Sequence, residues 1–506
     1  MKITGVEFFL FLSLTIILFY SIQKTRYQWL VLLTSSLCFF ALSTGIITVL
    51  HLLFVSLIAW KSALWVENFK DDKAKARITF AAISLVVLGL IILKYIGIKR
   101  CLISFGMTDT SDFVNYFLAP IGISYYSLSL IGYILEVFWG NYKAEKNYLR
   151  IVLFAGFFPQ LTSGPIVRFE ETGKELGKQI DFDHKRILFG FYRIIWGLFK
   201  KMVIADRSAI FVTSVYTSPD QCSGAVVAFS IIMFALQLYA DFSGCMDIIF
   251  GASECFGIAL PINFNSPFFS ETVSEFWDRW HITMGRWFRD FTLYPLLKSS
   301  FAQKYKKALT DKLGKKAAKK ITTYTFMLVV WILIGIWHGG EAKYLVASGL
   351  LPGFYLISGQ QLSGFFEKMT KVLRINTSSF LWHLFRKIRT FLCLCSSWVF
   401  IRAAGVKEGL VVLGEIFRTK NSPGSFNEQV LSQGLTVWDF VVLAFGVLSL
   451  FGIAHFRERG IDARNSIMKL NPAVQFIIVL CAIFLVIIAG IYGPGYSATE
   501  FIYKQF

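Results

Sequence analysis

The hydrophobic residues of this chain fall into long runs that are separated by polar loops. A helix needs roughly 20 apolar residues to cross a bilayer. By that measure the candidate membrane spans are residues 5–22, 28–43, 46–65, 78–97, 119–138, 149–165, 187–204, 223–240, 243–259, 322–338, 343–360, 388–405, 436–455 and 472–492. We expect about ten to twelve full crossings. Segments 149–165 and 243–259 are expected to be re-entrant or half-spanning.

The polar segments between these runs are too short to hold a soluble domain. The pattern therefore predicts one all-α membrane domain over residues 1–506, with its core at about 90–360 and C-terminal spans at 388–506. The apolar run at residues 1–20 has no small-residue cleavage site after it, so it is interpreted as a retained first span.

Composition agrees with this membrane interpretation. Hydrophobic residues make up 55% of the 506 residues and charged residues 16%, whereas soluble domains carry about 25% charged residues. The net charge of +19 fits either nucleic-acid binding or a membrane protein with basic cytoplasmic loops. Residues 298–320 hold nine Lys and one Asp between apolar runs, which favours a loop that faces the cytoplasm.

The eight cysteines follow neither a metal-binding nor a disulfide pattern. Most lie inside apolar runs, none forms a CxxC pair, and Cys393 and Cys395 are too close for a usual zinc knuckle. We expect no metal site. The sequence also contains no GxSxG, Walker A or HExxH motif.

Residues 261–295 form the most unusual stretch of the sequence. They are not apolar enough to span, yet residues 277–290 contain three Trp, three Arg, two Asp and one His. A continuous helix would place four side chains on one face: Trp277, His281, Met284 and Phe288. Asp278 would lie within reach of the His281 imidazole and could fix its tautomer. An interfacial amphipathic helix with an aromatic belt explains the same pattern without chemistry.

A second candidate is His338, which ends an apolar span and follows Trp337. An ionisable group at membrane depth is costly and is by default a functional hypothesis. Gly339 and Gly340 let the backbone approach a ligand closely. The alternative is an interfacial histidine that caps a helix end.

Two carboxylates, Asp241 and Asp247, interrupt another apolar run. We expect them to pair with a basic residue from 279–289 or to hydrogen-bond in a helix break at Gly244. A buried polar network explains them better than a direct catalytic role. The remaining histidines are interpreted as structural or solvated: His51, His184, His383 and His455.

These segments resemble the signature of the bacterial membrane-bound O-acyltransferases. The stretch from Asn263 to His281, followed by Trp287–Asp290, resembles the family's first histidine motif, and Trp337–Gly339 resembles its second. Further similar segments follow the family's order along the chain: Pro120–Ser124, Phe158–Ile166, Tyr239–Gly244 and Phe501–Phe506. Together they cover most of the chain from about residue 90 onward.

The resemblance implies a ring of tilted helices around an acyl-transfer tunnel in the plasma membrane. It implies His338 as the base and His281 as the partner that orients or polarises the thioester carbonyl. The supporting residues are expected to be Asp278, Trp277, Trp280, Trp337, Asn265, Asp241 and Arg289. An alcohol is a poor nucleophile at neutral pH, and a histidine near pKa 7 is a suitable base for it.

The closest branch by this resemblance acetylates extracytoplasmic polysaccharides, and the related branch adds D-alanine to teichoic acid. The donor is expected to be a thioester, acetyl-CoA or an acyl carrier, with no bound cofactor. Expected partners are membrane lipid, a polysaccharide acceptor, and either an extracytoplasmic acetyltransferase-like or esterase-like protein or a carrier protein, but no nucleic acid. A transporter or flippase without chemistry remains the alternative of another class, because broken helices and buried carboxylates also suit carriers.

Overall fold

The computed structural model describes residues 1–96, 122–161, 164–418 and 424–492. Regular structure in these ranges is helical, apart from one isolated antiparallel bridge between Phe264 and Trp280. The all-α prediction is confirmed. The start of the motif at Pro120, part of the motif that ends at Ile166, and the C-terminal motif lie outside the described residues.

Several helices are long and apolar enough to cross a membrane. By length and composition, six of them qualify in the described ranges: Ile46–Asn68, Asp72–Lys94, Gly224–Cys255, Ser300–Gly339, Val437–Glu458 and Pro472–Ala489. Shorter apolar helices are Val6–Ser21, Gln28–Thr44 and Ile123–Phe138. Large apolar side chains on these helices are exposed, such as Phe80 at 75% and Ile488 at 80%. Water is a poor solvent for such a surface, and lipid is a good one.

The described chain divides into two compact units. The first comprises residues 1–198 and 245–262, and the second comprises residues 199–244 and 263–506. The helices of the first unit are Val6–Ser21, Gln28–Thr44, Ile46–Asn68, Asp72–Ile91, Ile123–Phe138, Tyr148–Gly156, Phe158–Leu161, His184–Leu198 and the end of Gly224–Cys255. The helices Tyr148–Gly156 and Phe158–Leu161 have nine and four residues, too short to cross, as expected for a re-entrant segment.

The second unit contains both candidate histidines. Its helices are Asp206–Thr217, most of Gly224–Cys255, Val273–Arg279, Ile282–Phe288, Tyr294–Lys298, Ser300–Gly339, Ala342–Leu345, Leu351–Val372, Phe380–Arg402, Val406–Glu415, Phe426–Leu431, Val437–Glu458, Ala463–Met468 and Pro472–Ala489.

The carboxylates of helix Gly224–Cys255 have partners other than the expected ones. Asp241 pairs with the ammonium group of Lys201 at 2.7 Å in the second unit. Asp247 pairs with Arg193 at 2.9 Å in the first. Neither of these two partners lies in residues 279–289, and the expected pairing with that segment stays a prediction.

The expected helix break at Gly244 is wrong, because the helix runs unbroken for 32 residues. Polar side chains along it are satisfied from a neighbouring π-helical turn, Phe199–Ala205. Lys200 donates to the Ser243 hydroxyl at 3.0 Å, and Lys201 also lies 2.9 Å from Asp206. With these partners available, the helix has no need to open its backbone at this point.

The lysine-rich segment 298–320 is helical, so its prediction as a loop is wrong. Helix Ser300–Gly339 is divided at Gly314, whose φ of 79° and ψ of 159° lie outside helical values. We call residues 300–313 the lysine helix and residues 315–339 the histidine helix. Phe301 and Tyr305 each pack 6.1 Å from the Phe326 ring, so the two form a hairpin. Lysine is a good helix former, and glycine accepts the positive φ of the turn.

The histidine helix separates the lysines from His338. A helix rises 1.5 Å per residue, so residues 315–339 extend about 36 Å. That length is close to the thickness of a bilayer core. The lysine-rich turn and the Trp337–His338 pair therefore lie at opposite ends of one element.

Candidate functional site

The chain around His281 is bent rather than continuously helical. Helix Val273–Arg279 ends, Trp280 is extended, and a new helix Ile282–Phe288 begins after His281. The extended residue pairs with Phe264 across the isolated bridge. The expectation that Trp277 and His281 share one face of a continuous helix is therefore wrong.

His281 itself has a left-handed backbone conformation, with φ 48° and ψ 47°. A residue with a Cβ costs about 1–2 kcal/mol in this region. The side chain is fully buried, at 0% exposure. A strained and fully buried histidine is typical of a functional position that its surroundings hold in place.

The amide oxygen of Asn263 holds the imidazole of His281. This oxygen accepts hydrogen bonds from the Thr283 backbone N–H at 3.1 Å and from the Thr283 hydroxyl at 3.0 Å. It also lies 3.2 Å from Nδ1 of His281. A backbone N–H can only donate, so the atom that it meets on Asn263 is an acceptor. Nδ1 of His281 therefore carries the proton, and Nε2 presents a lone pair.

Burial disfavours the protonated, charged form of His281. Desolvation lowers the pKa of His281 to about 3, because the cation would lose its hydration. The imidazole is therefore neutral at physiological pH and is ready to accept a hydrogen bond through Nε2.

Two supporting residues expected near His281 make no hydrogen bond to its ring in the described structure. Asp278 is exposed and makes no hydrogen bond to His281 in the described structure. Asn265 uses its backbone N–H to donate to the Arg279 carbonyl at 2.9 Å. The residue that fixes the tautomer is Asn263, two positions before Asn265. The Asn-Phe-Asn motif pointed to this loop, but the choice between its asparagines depends on which one faces inward.

Trp337 connects the two candidate histidines. Its ring centroid lies 6.2 Å from that of His281 and 4.9 Å from that of His338. The two imidazoles are therefore no further apart than these two distances together. His338 is 6% exposed, so both rings are buried in the second unit. The fold therefore brings both candidate histidines into contact with the same tryptophan.

Glycines allow tight packing at the end of the histidine helix. A Cβ on Gly339 would lie 2.2 Å from the ring of Tyr344, so a side chain there would displace that ring. Gly340 ends the helix with a φ of 73°. The chain can therefore reverse directly after His338.

Aromatic rings pack around His281 and the neighbouring tryptophans. Phe242 meets the His281 ring edge-on at 5.0 Å. Trp280 packs against Trp398 at 5.0 Å and Trp277 against Trp331 at 4.8 Å. Such walls keep water away from a reactive ester or thioester.

Arg289, another expected supporting residue, does not reach this pocket. It is exposed and its Nε lies 3.0 Å from the carboxylate of its neighbour Asp290. Its assignment as a site residue stays a prediction. Asp241 belongs to the buried ion network with Lys201 and has a structural position on the same helix as Phe242.

A salt-bridge cluster around Glu271 lies just before helix Val273–Arg279. It was not predicted from the sequence. Glu271 accepts from Nδ1 of His383 at 2.7 Å and from Arg386 at 2.7 Å. Arg389 donates to the Glu271 carbonyl at 2.9 Å. These contacts join the segment before helix Val273–Arg279 to helix Phe380–Arg402. Glu271 and its partners on helix Phe380–Arg402 are more than a hundred positions apart in the sequence, so no local pattern could reveal these contacts.

The arrangement is suited to proton transfer. Within the described ranges, no group of three His, Cys, Asp or Glu side chains is placed to hold a metal ion. Two buried imidazoles, one of them fixed as a hydrogen-bond acceptor, can orient a substrate and take a proton from a hydroxyl. The dry aromatic walls favour transfer to an alcohol over hydrolysis.

Comparison with known proteins agrees with this chemistry. The model of the membrane-bound O-acyltransferase family matches residues 17–401, a range that includes both histidines. A "Probable alginate O-acetylase" of Pseudomonas syringae pv. tomato is 29% identical over 92% of this chain and 85% of its own length.

Two other relatives match over a shorter range. The peptidoglycan O-acetyltransferase of Helicobacter pylori is 28% identical over 59% of this chain and 56% of its own length. The teichoic acid D-alanyltransferase of Bacillus subtilis is 28% identical over 50% of this chain and 60% of its own length. The chain is therefore a multi-pass membrane protein and an O-acyltransferase that belongs to the membrane-bound O-acyltransferase family.

Proposed function

We propose that this enzyme transfers an acetyl group from a thioester on the cytoplasmic side to a hydroxyl of a cell-surface polysaccharide, directly or through a partner protein. The observation that carries the proposal is the pair of buried histidines on either side of Trp337. Its substrate class is supported by the alginate O-acetylase relative, of which the chain covers 85%.

His338 is assigned as the general base. A hydroxyl attacks a thioester slowly unless a base in hydrogen-bond reach accepts its proton. The imidazole at the end of the histidine helix is buried beside a backbone that turns away at Gly340. The proton passes from the hydroxyl to His338 as the new ester bond forms, and the thiolate leaves with its electron pair.

His281 is assigned to orient the donor. Its Nε2 presents a lone pair, so it accepts a hydrogen bond and cannot polarise a carbonyl by donating one. Pantetheine arms carry amide N–H groups, whether they belong to CoA or to an acyl carrier. One such N–H would meet Nε2 and place the thioester beside His338. The orienting role expected from the sequence is retained, and the polarising role is withdrawn.

The lysine-rich hairpin indicates the donor side. Eight of the nine lysines in residues 298–320 are exposed, and a segment with this charge is expected to remain in the cytoplasm. CoA and phosphopantetheinyl carriers are both acidic, so the same charge would attract either donor. His338, at the other end of the histidine helix, then lies about 36 Å from the turn at Gly314.

D-alanyl transfer to teichoic acid is the second candidate function. The Bacillus subtilis relative supports it over 50% of this chain. The two histidines would have the same roles, and the donor would be a D-alanyl carrier protein. A transporter without chemistry has no support from the family.

The first prediction concerns His338. His338→Ala should lower acyl transfer by at least about 100-fold, the usual contribution of a general base, while the protein inserts normally. Radiolabelled acetyl transfer by purified protein measures this. His184→Ala, which removes an exposed histidine, is the matched control and should keep full activity. Near-normal transfer by a well-folded His338→Ala protein would remove His338 from the mechanism.

The second prediction concerns the tautomer of His281. Asn263→Asp keeps an acceptor for Thr283 but places a negative charge beside Nδ1, which stabilises the imidazolium. The pKa of His281 should rise by about one to three units. Because the pKa of His281 is lowered to about 3, its protonation causes no loss of activity above pH 5 in the unmodified enzyme. In the variant, protonation of His281 should move the loss of activity on the acid side to higher pH.

The control for this experiment is Asn265→Asp, two positions away. Its carboxylate would not replace the oxygen that holds His281, so the pH–activity profile should match that of the unmodified enzyme. An identical profile for Asn263→Asp and the unmodified enzyme would mean that the charge state of His281 does not matter for the reaction.

The third prediction identifies the transferred group. Deleting the gene should remove acetyl ester from a surface glycan and leave teichoic-acid D-alanine unchanged, as measured by mass spectrometry of surface polymers. Complementation with the unmodified gene should restore the ester, and complementation with His338→Ala should not. Loss of D-alanine instead would establish the second candidate function.

A further inference from the structure

The lysine-rich segment 298–320 carries a dense and unbalanced charge. It contains nine Lys and one acidic residue, Asp311. Eight of the lysines are exposed: Lys298, Lys304, Lys307, Lys312, Lys315, Lys316, Lys319 and Lys320. Among the residues that the structure describes, no carboxylate lies within ion-pair distance of any of these eight. The segment therefore presents a cationic surface that the described protein does not neutralise.

Four of these lysines share one face of the histidine helix. They recur at i, i+1, i+4 and i+5, a spacing that places side chains on one side of an α-helix. We call them the lysine face: Lys315, Lys316, Lys319 and Lys320. The other side of the same helix is turned to the protein, because Ala318 and Thr322 are buried. The lysine face is therefore directed away from the protein.

The charges of the lysine face repel one another. Lys315 and Lys319 lie four residues apart, as do Lys316 and Lys320, and like charges at this spacing destabilise a helix. The ammonium group of Lys320 lies 5.9 Å from the centre of the Tyr324 ring, which attracts a cation but carries no full counter-charge. A bound anion would remove this repulsion. The arrangement therefore favours an anionic ligand from outside the protein.

The base of the hairpin indicates where the membrane begins. Phe301 and Tyr305 each pack 6.1 Å from the Phe326 ring, and Phe301 is still 68% exposed. An exposed phenylalanine beside a span is suited to contact with acyl chains. The uncharged stretch of the histidine helix, residues 321–337, begins directly after the lysine face. Tyr324, near its start, is of a residue type that is enriched at membrane interfaces.

The lysine face matches the depth of the lipid head-group layer. A bilayer is about 40–45 Å thick in all and its hydrocarbon core about 30 Å, so each head-group layer is about 5–7.5 Å deep. From Lys315 to Lys320 the helix rises about 7.5 Å. Lysine stems are long and flexible, so the ammonium groups can reach phosphates at this level. The charges therefore lie where lipid phosphates lie.

We propose that the lysine face binds the phosphate groups of anionic phospholipids in the cytoplasmic leaflet, with Phe301 among their acyl chains. Clusters of basic residues next to the cytoplasmic end of a span are attracted to an anionic leaflet. Lipid is favoured over a soluble acidic donor, because lipid phosphates surround this end of the span at high local concentration. The inference goes beyond the proposed acyl transfer and does not rest on it.

Native mass spectrometry of the full-length protein in a nonionic detergent tests the proposal, because it resolves individual bound lipids. Phosphatidylglycerol and phosphatidylcholine with the same acyl chains are the two probes. Phosphatidylglycerol should bind its tightest site at least about tenfold more strongly than phosphatidylcholine does. This preference should shrink as the ionic strength rises. Equal affinity of the two lipids would overturn the proposal.

A quadruple variant locates the site. Replacing the four lysines of the lysine face by Gln should weaken the tightest phosphatidylglycerol binding by at least about tenfold. Phosphatidylcholine binding should stay unchanged, which shows that the variant is folded. Replacing the same four lysines by Arg keeps the charge and should keep phosphatidylglycerol binding. Unchanged phosphatidylglycerol affinity in the folded Gln variant would contradict the assignment.

The matched control removes four basic charges from another loop that joins two spans. The loop between helices Ile46–Asn68 and Asp72–Lys94 also holds acidic residues, and its Asp72 lies 3.8 Å from Lys75. The control combines four substitutions: Lys70→Gln, Lys73→Gln, Lys75→Gln and Arg77→Gln. Its phosphatidylglycerol affinity should equal that of the unmodified protein. An equal loss in both quadruple variants would mean that net charge alone, and not the lysine face, determines lipid binding.

Coenzyme A distinguishes a soluble donor from lipid at the same surface. If the Gln substitutions abolish coenzyme A binding and leave phosphatidylglycerol binding unchanged, the lysine face belongs to the donor and the proposal is wrong. If they weaken phosphatidylglycerol binding in the absence of coenzyme A, the lipid site is supported. His338→Ala protein should bind phosphatidylglycerol normally. Lysine-dependent lipid binding by a protein that transfers no acyl group in any assay would leave this site in place and remove the proposed function.

Discussion

Buried polar and charged side chains in this protein must find their partners within the protein, because lipid offers no hydrogen bonds. Lys201 has Asp241 and Asp206 within 2.9 Å, and Arg193 has Asp247 and Glu254. Removing one member of such a pair leaves an uncompensated charge and costs about 3–5 kcal/mol. Within each unit, these ion pairs hold part of helix Gly224–Cys255 to a segment that precedes it in the chain.

The same constraint shapes the candidate site. Asn263 satisfies three donors with one oxygen, and this fixes both the bend at Trp280 and the tautomer of His281. The left-handed backbone of His281 persists because the bridge and the Asn263 contacts determine it together. Burial keeps the ring neutral, so its chemistry is that of a hydrogen-bond acceptor. The loop that contains Asn263 thus determines the position and the tautomer of His281.

Sequence reasoning recovered what depends on local composition. The apolar runs gave most helices, and the Trp-rich motifs gave His281, His338 and Trp337, which the fold brings together. It failed where a contact between distant segments decides the outcome. The pairing of Asp241 with Lys201 was not predicted, and Asn263 rather than Asp278 holds His281. Periodicity also predicted one helix through His281, because it cannot register a bridge to residue 264.

The lysine segment shows a different kind of failure. A run of charge between apolar segments was predicted to be a loop, yet lysine stems pack well on a helix and Gly314 supplies the turn. In the resulting hairpin, the lysines lie at one end of the histidine helix and His338 lies at the other end. This separation underlies the assignment of a donor side and an acceptor side.

Transfer across a sealed membrane tests this account most directly. The enzyme is reconstituted in proteoliposomes, and the experiment uses vesicles in which trypsin added outside cleaves the lysine-rich segment 298–320. Radiolabelled acetyl thioester is added outside these vesicles, and the glycan acceptor is enclosed inside. Vesicles that carry His338→Ala protein serve as the blank. The account predicts acetyl ester on the enclosed glycan, formed only by the unmodified enzyme. Ester formed solely on acceptor added to the thioester side would contradict it.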